Sequence, residues 1–274
     1  MPHDNTSKLQ HFRNDESAKF AVIDGPTEIS AQGSDEPFLL VLDSSFNPPH
    51  FGHYTLIEKA LEHYTGSNSG SVHVLLLLSI NNADKNEKPA SFDRRLDMMS
   101  LLAKHLSHNF SNLSPTVAIC KSAKFVEKSN GIRDDLFVNG KIVYLLGFDT
   151  ITRVFDPKYY VPSTVREAMG NFMEHTDFFC LTRGSENSSD SNLDEQAHYA
   201  RDIAAGMYEP VIPSSWGSKI NIIENRNKYN AVSSSALRKL LIKGEYEQAS
   251  EDIPVEITDC IKAADEATGS SIFE

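Results

Sequence analysis

Residues 38–53 read FLLVLDSSFNPPHFGH, and this stretch decides the fold. Its first five residues form an apolar run that is typical of a strand buried on both faces of a sheet. Serine, asparagine and two prolines then predict a tight turn, and two histidines three residues apart mark the start of a helix. A helix that begins directly after a strand directs free backbone N–H groups and its dipole at one point. The stretch therefore predicts a phosphate site, to which His50 and His53 add two side-chain donors.

The rest of the chain alternates short apolar runs with helical patterns. Strands are predicted over residues 38–42, 72–79, 116–120, 142–146, 177–182 and 220–223, and helices over 52–64, 91–107, 149–154, 163–174, 194–204, 233–242 and 254–265. This alternation predicts an α/β fold with a single-domain, Rossmann-like, doubly wound parallel sheet that is covered on both faces. Ligands of such sheets bind at the carboxyl ends of the strands, where the opening stretch lies.

Two segments are predicted to stand outside this alternation. Residues 1–35 form a polar N-terminal extension, and the main domain covers 36–274. One helix over 7–22 could dock the extension on that domain, and a loosely ordered tail is the alternative. Residues 184–195 are rich in Ser, Asn and Asp, which is typical of a mobile surface loop.

The amino-acid composition disfavours several classes of ligand and of cellular location. The chain has 274 residues, of which 40% are hydrophobic, and a formal net charge of -12. An acidic chain is a poor match for nucleic acid or for an anionic membrane surface, although local cations can still bind a small anion. The three cysteines, Cys120, Cys180 and Cys260, have no metal-binding spacing, and no apolar stretch resembles a signal peptide or is long enough to span a membrane. We therefore expect a cytoplasmic protein, with the nucleus as an alternative location, that has no metal site of its own and is compatible with a homo-oligomer.

A second motif lies near the C-terminus and reads VSSSALR, residues 232–238. It follows a predicted strand and opens a helix, so Ser233 or Ser234 is a natural N-cap whose helix offers N–H groups to an anion. Arg238 lies one turn further on and could reach back to a phosphate. Serine-rich caps with a later arginine are common in helices of purely structural role. This motif therefore indicates a phosphate site only in combination with the first motif.

The two motifs together resemble the nucleotidyltransferase superfamily that carries an H-x-G-H signature and a late I-S-S-T-x-x-R signature. The lead-in SFNP, residues 45–48, is similar to that of nicotinamide mononucleotide (NMN) adenylyltransferases, and the chain most resembles their divergent fungal branch of the promoter-of-filamentation type. The resemblance covers residues 38–265 and implies the superfamily's nucleotidyltransferase (HUP-like) fold for the domain over 36–274. Ser44 stands where the family has glycine.

This resemblance implies adenylyl transfer from ATP to NMN, which gives NAD and pyrophosphate, with Mg²⁺ arriving on ATP. It assigns catalysis to His50, His53 and Arg238. For ATP it implies Ser45, Phe46, Gly52, Gly147, Asp149, Ser233, Ser234 and Ser235. For NMN it implies Ser45, Phe46, Asn47, Lys85, Lys88, Arg94 and Arg183. Tyr159 and Tyr160 are the candidates for the family's aromatic that stacks on nicotinamide, and a half-buried aromatic pair of structural role is the alternative for these two.

Other functions stay open at this point. The same chemistry could serve another acceptor, such as nicotinate mononucleotide, phosphopantetheine or FMN. A nucleotide-binding regulatory protein with weak ATPase activity is a further alternative. The intact His50, His53 and Arg238 favour an enzyme, because a decayed site would be free to lose them.

Overall fold

A seven-stranded sheet forms the centre of the computed structural model, which describes residues 3–29, 36–67, 70–80, 89–184 and 190–274. Its strands, in chain order, are β1 (Phe20–Asp24), β2 (Phe38–Asp43), β3 (Val72–Ser79), β4 (Thr116–Cys120), β5 (Lys141–Gly147), β6 (Thr176–Leu181) and β7 (Ile220–Ile223). They lie in the order β1-β4-β3-β2-β5-β6-β7. All neighbours are parallel except β1, which runs antiparallel to β4 at one edge.

Helices cover both faces of this sheet. They are α1 (His3–Asn14), α2 (Phe51–Ser67), α3 (Phe92–Asn109), α4 (Phe125–Asp135), α5 (Phe148–Val154), α6 (Val165–His175), α7 (Asp190–Ala204), α8 (Ser234–Ile242), α9 (Tyr246–Ala249) and α10 (Val255–Thr268). The predicted doubly wound α/β fold is confirmed, and the antiparallel edge strand is the one departure from a wholly parallel sheet.

Strand β2 shows why the apolar run at 38–42 folds as it does. Leu40 and Leu42 belong to the core on one face, which includes side chains of α2 and α3. Leu39 and Val41 belong to the core on the other face, which includes side chains of α4 and α6. A strand with helices on both faces must be apolar at every position, which is why the pattern is continuous rather than alternating.

The order of the strands changes direction beside β2. This strand pairs with β3 on one side and with β5 on the other, so the chain builds one half of the sheet outward from β2 and then returns to start the second half at β5. The carboxyl ends of β2 and β5 therefore flank a topological switch point, which is where ligands of open α/β sheets bind.

The structure differs from the helix predicted over 7–22. Helix α1 ends at Asn14, and residues 20–24 form β1. The Asp15 carboxylate accepts hydrogen bonds from Ser17 N–H at 2.9 Å and Ala18 N–H at 3.2 Å, an arrangement that competes with a further helical turn. Leu9 and Phe12 are buried in the core that includes α3, so this part of the predicted extension packs on the main domain and contributes a strand to its sheet.

Two further segments differ from the sequence-based prediction. Helix α4 had no predicted counterpart, because its buried residues include Lys128, Ser129 and Gly131 and give no apolar periodicity. The segment predicted as a loop over 184–195 is helical from Asp190 onward, and residues 185–189 lie outside the described part of the chain.

Candidate active site

A cavity of about 850 Å³ opens at the carboxyl edge of the sheet. Its walls come from the segments that follow β2, β5, β6 and β7 and from helix α3, which follows β3. They include Asp43, Ser44, Ser45, Asn47, His50, Gly52, His53, Arg95, Gly147, Asp149, Thr182, Arg183, Asn225, Tyr229, Asn230, Ser233, Ser234, Ser235 and Arg238. Twelve of the candidate site residues from the sequence are among these, so one cavity unites the two motifs.

The turn after β2 places the histidines. Phe46 is fully buried and has a φ of 44°, a backbone conformation that bulky residues rarely adopt. Its ring packs 5.4 Å from that of His53, centre to centre. The turn then delivers His50 to the residue before α2 and His53 to the first turn of that helix.

Backbone N–H groups set the proton positions on both imidazoles. The N–H of His50 donates to Nδ1 of His53 at 3.1 Å, and the N–H of Gly52 donates to Nδ1 of His50 at 3.1 Å. A nitrogen that accepts a hydrogen bond has no proton of its own, so each neutral imidazole carries its proton on Nε2. The pair, with ring centres 3.9 Å apart, is thus prepared to donate N–H groups from Nε2.

Burial keeps the His50 imidazole neutral. The residue is only 8% exposed, and this burial, with His53 and Arg183 nearby, holds the pKa of His50 well below its ordinary value. At neutral pH, His50 is therefore an uncharged hydrogen-bond donor.

The second motif contacts the first directly. Ser233 caps α8 by accepting from Ala236 N–H at 3.2 Å. The Ser234 hydroxyl donates to the carbonyl of Pro48 at 2.9 Å, and Arg238 donates to the carbonyl of Asn47 at 2.7 Å. The start of α8 and the turn after β2 therefore form one unit.

The ends of β5 and β6 supply the opposite wall. Gly147 precedes α5, and Asp149 lies in its first turn. The Asp149 carboxylate is 3.6 Å from the Arg183 guanidinium, and the two side chains are 71% and 42% exposed. They can therefore rearrange around a ligand with little cost in buried contacts.

The remaining candidate residues lie elsewhere. Lys85 and Lys88 fall outside the described residues. Among the residues described, the cavity walls leave out Phe46, Arg94, Tyr159 and Tyr160 and include Arg95, the neighbour of Arg94. Tyr160 donates its hydroxyl proton to the carbonyl of Val154 at 2.6 Å, and Tyr159 is exposed, with the Lys158 ammonium 4.8 Å from the centre of its ring. The roles in NMN binding given to these residues stay predictions.

Sequence reasoning missed several wall residues. Asp43 and Ser44 end β2, and their position at the carboxyl end of a strand could have identified them. Asp43 forms an ion pair with Lys128 of α4, and both side chains are at least nine-tenths buried. Arg95, Asn225, Tyr229 and Asn230 give no comparable signal, because their place in the wall depends on how α3 and the β7–α8 segment pack.

Neither a metal-binding cluster nor a membrane-spanning helix is found among the described residues. No group of three or more His, Cys, Asp or Glu side chains is arranged to hold a metal ion. None of the helices combines the length and the apolar character needed to cross a membrane.

Comparison with known proteins places this architecture in context. The model of the family described as "Cytidylyltransferase-like" matches residues 41–240. A Schizosaccharomyces pombe protein named "Putative nicotinamide mononucleotide adenylyltransferase" is 39% identical over 230 residues, which cover 84% of this chain and 85% of that protein.

Solved structures support the fold. Nicotinic acid mononucleotide adenylyltransferase of Plasmodium falciparum, complexed with NaAD, aligns with a TM-score of 0.55 and 16% identity over 84% of this chain and 96% of that chain. The same enzyme complexed with APC aligns with a TM-score of 0.50 and 15% identity over 83% of this chain and 96% of that chain. At this identity the likeness concerns the fold alone.

Proposed function

The chain belongs to the cytidylyltransferase-like family, and from this premise we propose that it transfers the adenylyl group of ATP to NMN, which yields NAD and pyrophosphate. One observation carries the proposal. Arg238 and Ser234, at the start of α8, hydrogen-bond the turn that presents His50 and His53, so the phosphate-directed groups of both motifs line one cavity.

The proposed reaction is a direct displacement. An oxygen of the NMN phosphate attacks the α-phosphorus of ATP, and the bond from that phosphorus to the bridging oxygen breaks and releases pyrophosphate. The attacking oxygen is already ionised, so no residue has to act as a general base. The contribution of the protein is to align the two substrates and to stabilise charge on the phosphoryl oxygens.

The proposal gives each motif a part in this task. The Nε2–H groups of His50 and His53 donate to oxygens of the α- and β-phosphates. Arg238 and the free N–H groups at the start of α8 hold the β- and γ-phosphates that leave as pyrophosphate. Asp149 accepts a hydrogen bond from a ribose hydroxyl or from the adenine side of ATP.

Mg²⁺ is proposed to enter with ATP. The two aspartates of the cavity wall, Asp43 and Asp149, are each paired with a basic side chain, which suits an ion held mainly by phosphate oxygens and water. When bound, the ion neutralises phosphate charge.

Asn47 supports NMN over nicotinate mononucleotide as acceptor. The residue is 4% exposed and lies in the cavity wall, and in the described structure its side-chain oxygen, Oδ1, has no hydrogen-bond partner. A buried acceptor without a partner costs free energy. The carboxamide of NMN carries N–H groups that can donate to this oxygen, whereas the carboxylate of nicotinate mononucleotide can only accept.

Incubation of the purified protein with Mg-ATP and a single acceptor tests the proposal. The acceptors are NMN, nicotinate mononucleotide, phosphopantetheine and FMN, and products are separated by chromatography. We expect NAD and pyrophosphate in equal amounts from NMN. Deamido-NAD without NAD would move the activity to the nicotinate acceptor, and ADP without any dinucleotide would contradict adenylyl transfer.

Two histidine variants provide the control. His53→Ala removes a proposed phosphate donor, and turnover should fall on the order of 10²–10³-fold. His108→Ala removes an exposed histidine outside the cavity wall and should leave turnover unchanged. Equal rates for the two variants would exclude His53 from the reaction.

A further inference from the structure

Ser44 is a cavity residue to which the motifs assign no role. Its backbone N–H pairs with the carbonyl of Leu77 in β3 at 3.2 Å, so the residue is anchored to the sheet rather than to a free loop. Its side chain lines the same cavity wall as the two histidines, and its hydroxyl oxygen lies 3.0 Å from Nε2 of His53.

The direction of this hydrogen bond follows from the geometry. Nδ1 of His53 already accepts the N–H of His50, so the proton of the neutral ring is on Nε2. That N–H donates to the Ser44 oxygen, and the hydroxyl proton of Ser44 stays available. Among the described residues, Ser44 Oγ has no hydrogen-bond partner besides His53.

This direction argues against a nucleophilic serine. A histidine that activates a serine must accept the hydroxyl proton on the nitrogen that faces it, and its other nitrogen must donate to an orienting acceptor. Here both relations are reversed, because Nε2 donates to Ser44 and Nδ1 accepts from a backbone N–H. Ser44 is therefore arranged to donate a proton in a hydrogen bond and not to attack a phosphorus.

We propose that Ser44 is a further phosphate-binding residue, whose hydroxyl donates to a phosphoryl oxygen of the nucleotide. The donors form a chain from His50 N–H through the His53 ring to Ser44. On binding, the Nε2–H of His53 is shared between Ser44 Oγ and the phosphate to which the Ser44 hydroxyl donates. Hydrogen bonds in such a chain polarise one another, so each donor is strengthened by the one behind it. The inference deepens the proposed function and rests on it for the identity of the nucleotide.

Binding of α,β-methylene-ATP tests the contact without any turnover. Ser44→Ala should weaken binding on the order of 10- to 100-fold, as expected for a hydrogen bond to a charged group. Ser44→Thr keeps the hydroxyl and should retain most of the affinity. Ser218→Ala, at an exposed serine outside the cavity, is the matched control and should bind as the unaltered protein does.

A second comparison separates direct contact from mere support of His53. If Ser44 only holds His53 in place, Ser44→Ala should have no effect on binding once His53 is already alanine. If Ser44 donates to the phosphate, Ser44→Ala should weaken binding several-fold in the His53→Ala background as well. Loss of that residual effect would overturn the inference.

Three further outcomes keep the inference distinct from the proposed function. Protein that becomes covalently labelled by ATP carrying ³²P on its α-phosphate, in the absence of acceptor, would overturn it in favour of a nucleophilic serine. Normal NAD synthesis with unchanged binding by Ser44→Ala would overturn the inference alone. Failure to form any dinucleotide would overturn the proposed function, and the binding series would still measure the Ser44 contact.

Discussion

Arg238 donates a hydrogen bond from Nη1 to the backbone carbonyl of Asn47 at 2.7 Å, across 191 positions of sequence. Its Nη2 donates to the Ser235 hydroxyl at 3.0 Å. Two of the five N–H donors of the guanidinium thus bind the protein itself, and the other three are available to a ligand. Burial lowers the pKa of Arg238. The ordinary pKa of an arginine lies so far above neutral pH that the side chain still keeps its charge.

Replacement of Arg238 should impair ATP use more than acceptor use. Arg238→Ala removes both the tie to Asn47 and the proposed phosphate contact, so kcat/KM for ATP should fall on the order of 10²–10³-fold. Arg238→Lys keeps the positive charge but loses the paired N–H donors of the guanidinium. It should therefore recover only part of the lost kcat/KM. Steady-state kinetics with each substrate varied in turn provide the measurement.

The neighbouring Lys239 offers the control for that variant. It is exposed on the same helix and is not part of the cavity wall, so Lys239→Ala should leave both KM values unchanged. A defect of Arg238→Ala confined to the KM for NMN would contradict the assignment of this arginine to the ATP phosphates.

Acidification should destabilise the protein through His50. Its pKa is held below the ordinary value of about 6.5 that it regains on unfolding, so below that pH the unfolded chain binds a proton that the folded chain excludes. The contribution of His50 to the free energy of unfolding is therefore complete above about pH 6.5. It is lost as the pH falls toward the lower pKa that His50 has in the folded protein. Urea unfolding between pH 7.5 and 5 should show this decline, and it should be shallower in His50→Gln. Parallel pH profiles for the two proteins would exclude His50 as the cause.

Gly52→Ala should lower activity while the fold remains intact. A Cβ on Gly52 would lie 2.9 Å from both Cε1 and Nδ1 of the His50 ring, so the imidazole must shift from its position. Alanine is otherwise favourable within a helix. We expect kcat to fall at least 10-fold, because the shift displaces a donor that has to be placed within a fraction of an ångström.

Gly66→Ala is a matched control in the same helix, since a Cβ there would meet nothing within 4 Å. Circular dichroism melting should show both alanine variants folded, and only Gly52→Ala should lose turnover. Unchanged kinetics in Gly52→Ala would show that the position of His50 does not limit the reaction.

The sequence predicted six of the seven strands, because their apolar runs are local signals, and it missed β1. The run at 38–42 and the turn with His50 contain in one stretch the strand β2, the turn that follows it and the two histidines proposed to bind phosphate. Helix α4 was not predicted because its buried side includes Lys128, whose partner Asp43 lies 85 positions away. In a sequence, a buried lysine cannot be distinguished from a solvated one unless its partner is known. Only the three-dimensional structure identifies that partner.

The same reasoning explains the uneven result for the candidate site. His50, Arg238 and the serines of the second motif lie in the cavity because they belong to strand ends and helix starts that the fold brings together. The aromatic pair Tyr159 and Tyr160 was chosen by position alone, and the structure gives the Tyr160 hydroxyl a partner in the backbone of α5. A residue whose role depends on loop geometry has no local pattern that reveals it.

Asn47 offers a test of acceptor choice. Asn47→Leu keeps the number and branching of the side-chain heavy atoms but has no acceptor for a carboxamide N–H. We expect kcat/KM for NMN to fall about 10-fold or more, as for a lost hydrogen bond to a buried group, and that for nicotinate mononucleotide to fall less. The ratio of the two values, measured with both acceptors on one preparation, reports the contact independently of how much active protein is present. An unchanged ratio would remove Asn47 Oδ1 from acceptor discrimination.

Loss of Lys128 should destabilise the protein strongly, because it leaves the Asp43 carboxylate buried without a partner. The Lys128 side chain is 4% exposed and that of Asp43 10%, so water cannot readily replace the missing ammonium. Lys128→Met should therefore cost about 3–5 kcal/mol of unfolding free energy, which corresponds to roughly 6–20 °C in Tm for a domain of this size. Lys124→Met, at an exposed lysine next to the start of the same helix, should change Tm little.

The double variant Lys128→Met and Asp43→Leu removes both charges and should recover most of the lost stability, since a buried ion pair contributes little over apolar packing. If the single and double variants melted at the same temperature, the cost would lie in the packing of α4 and not in an unpaired charge beside the cavity.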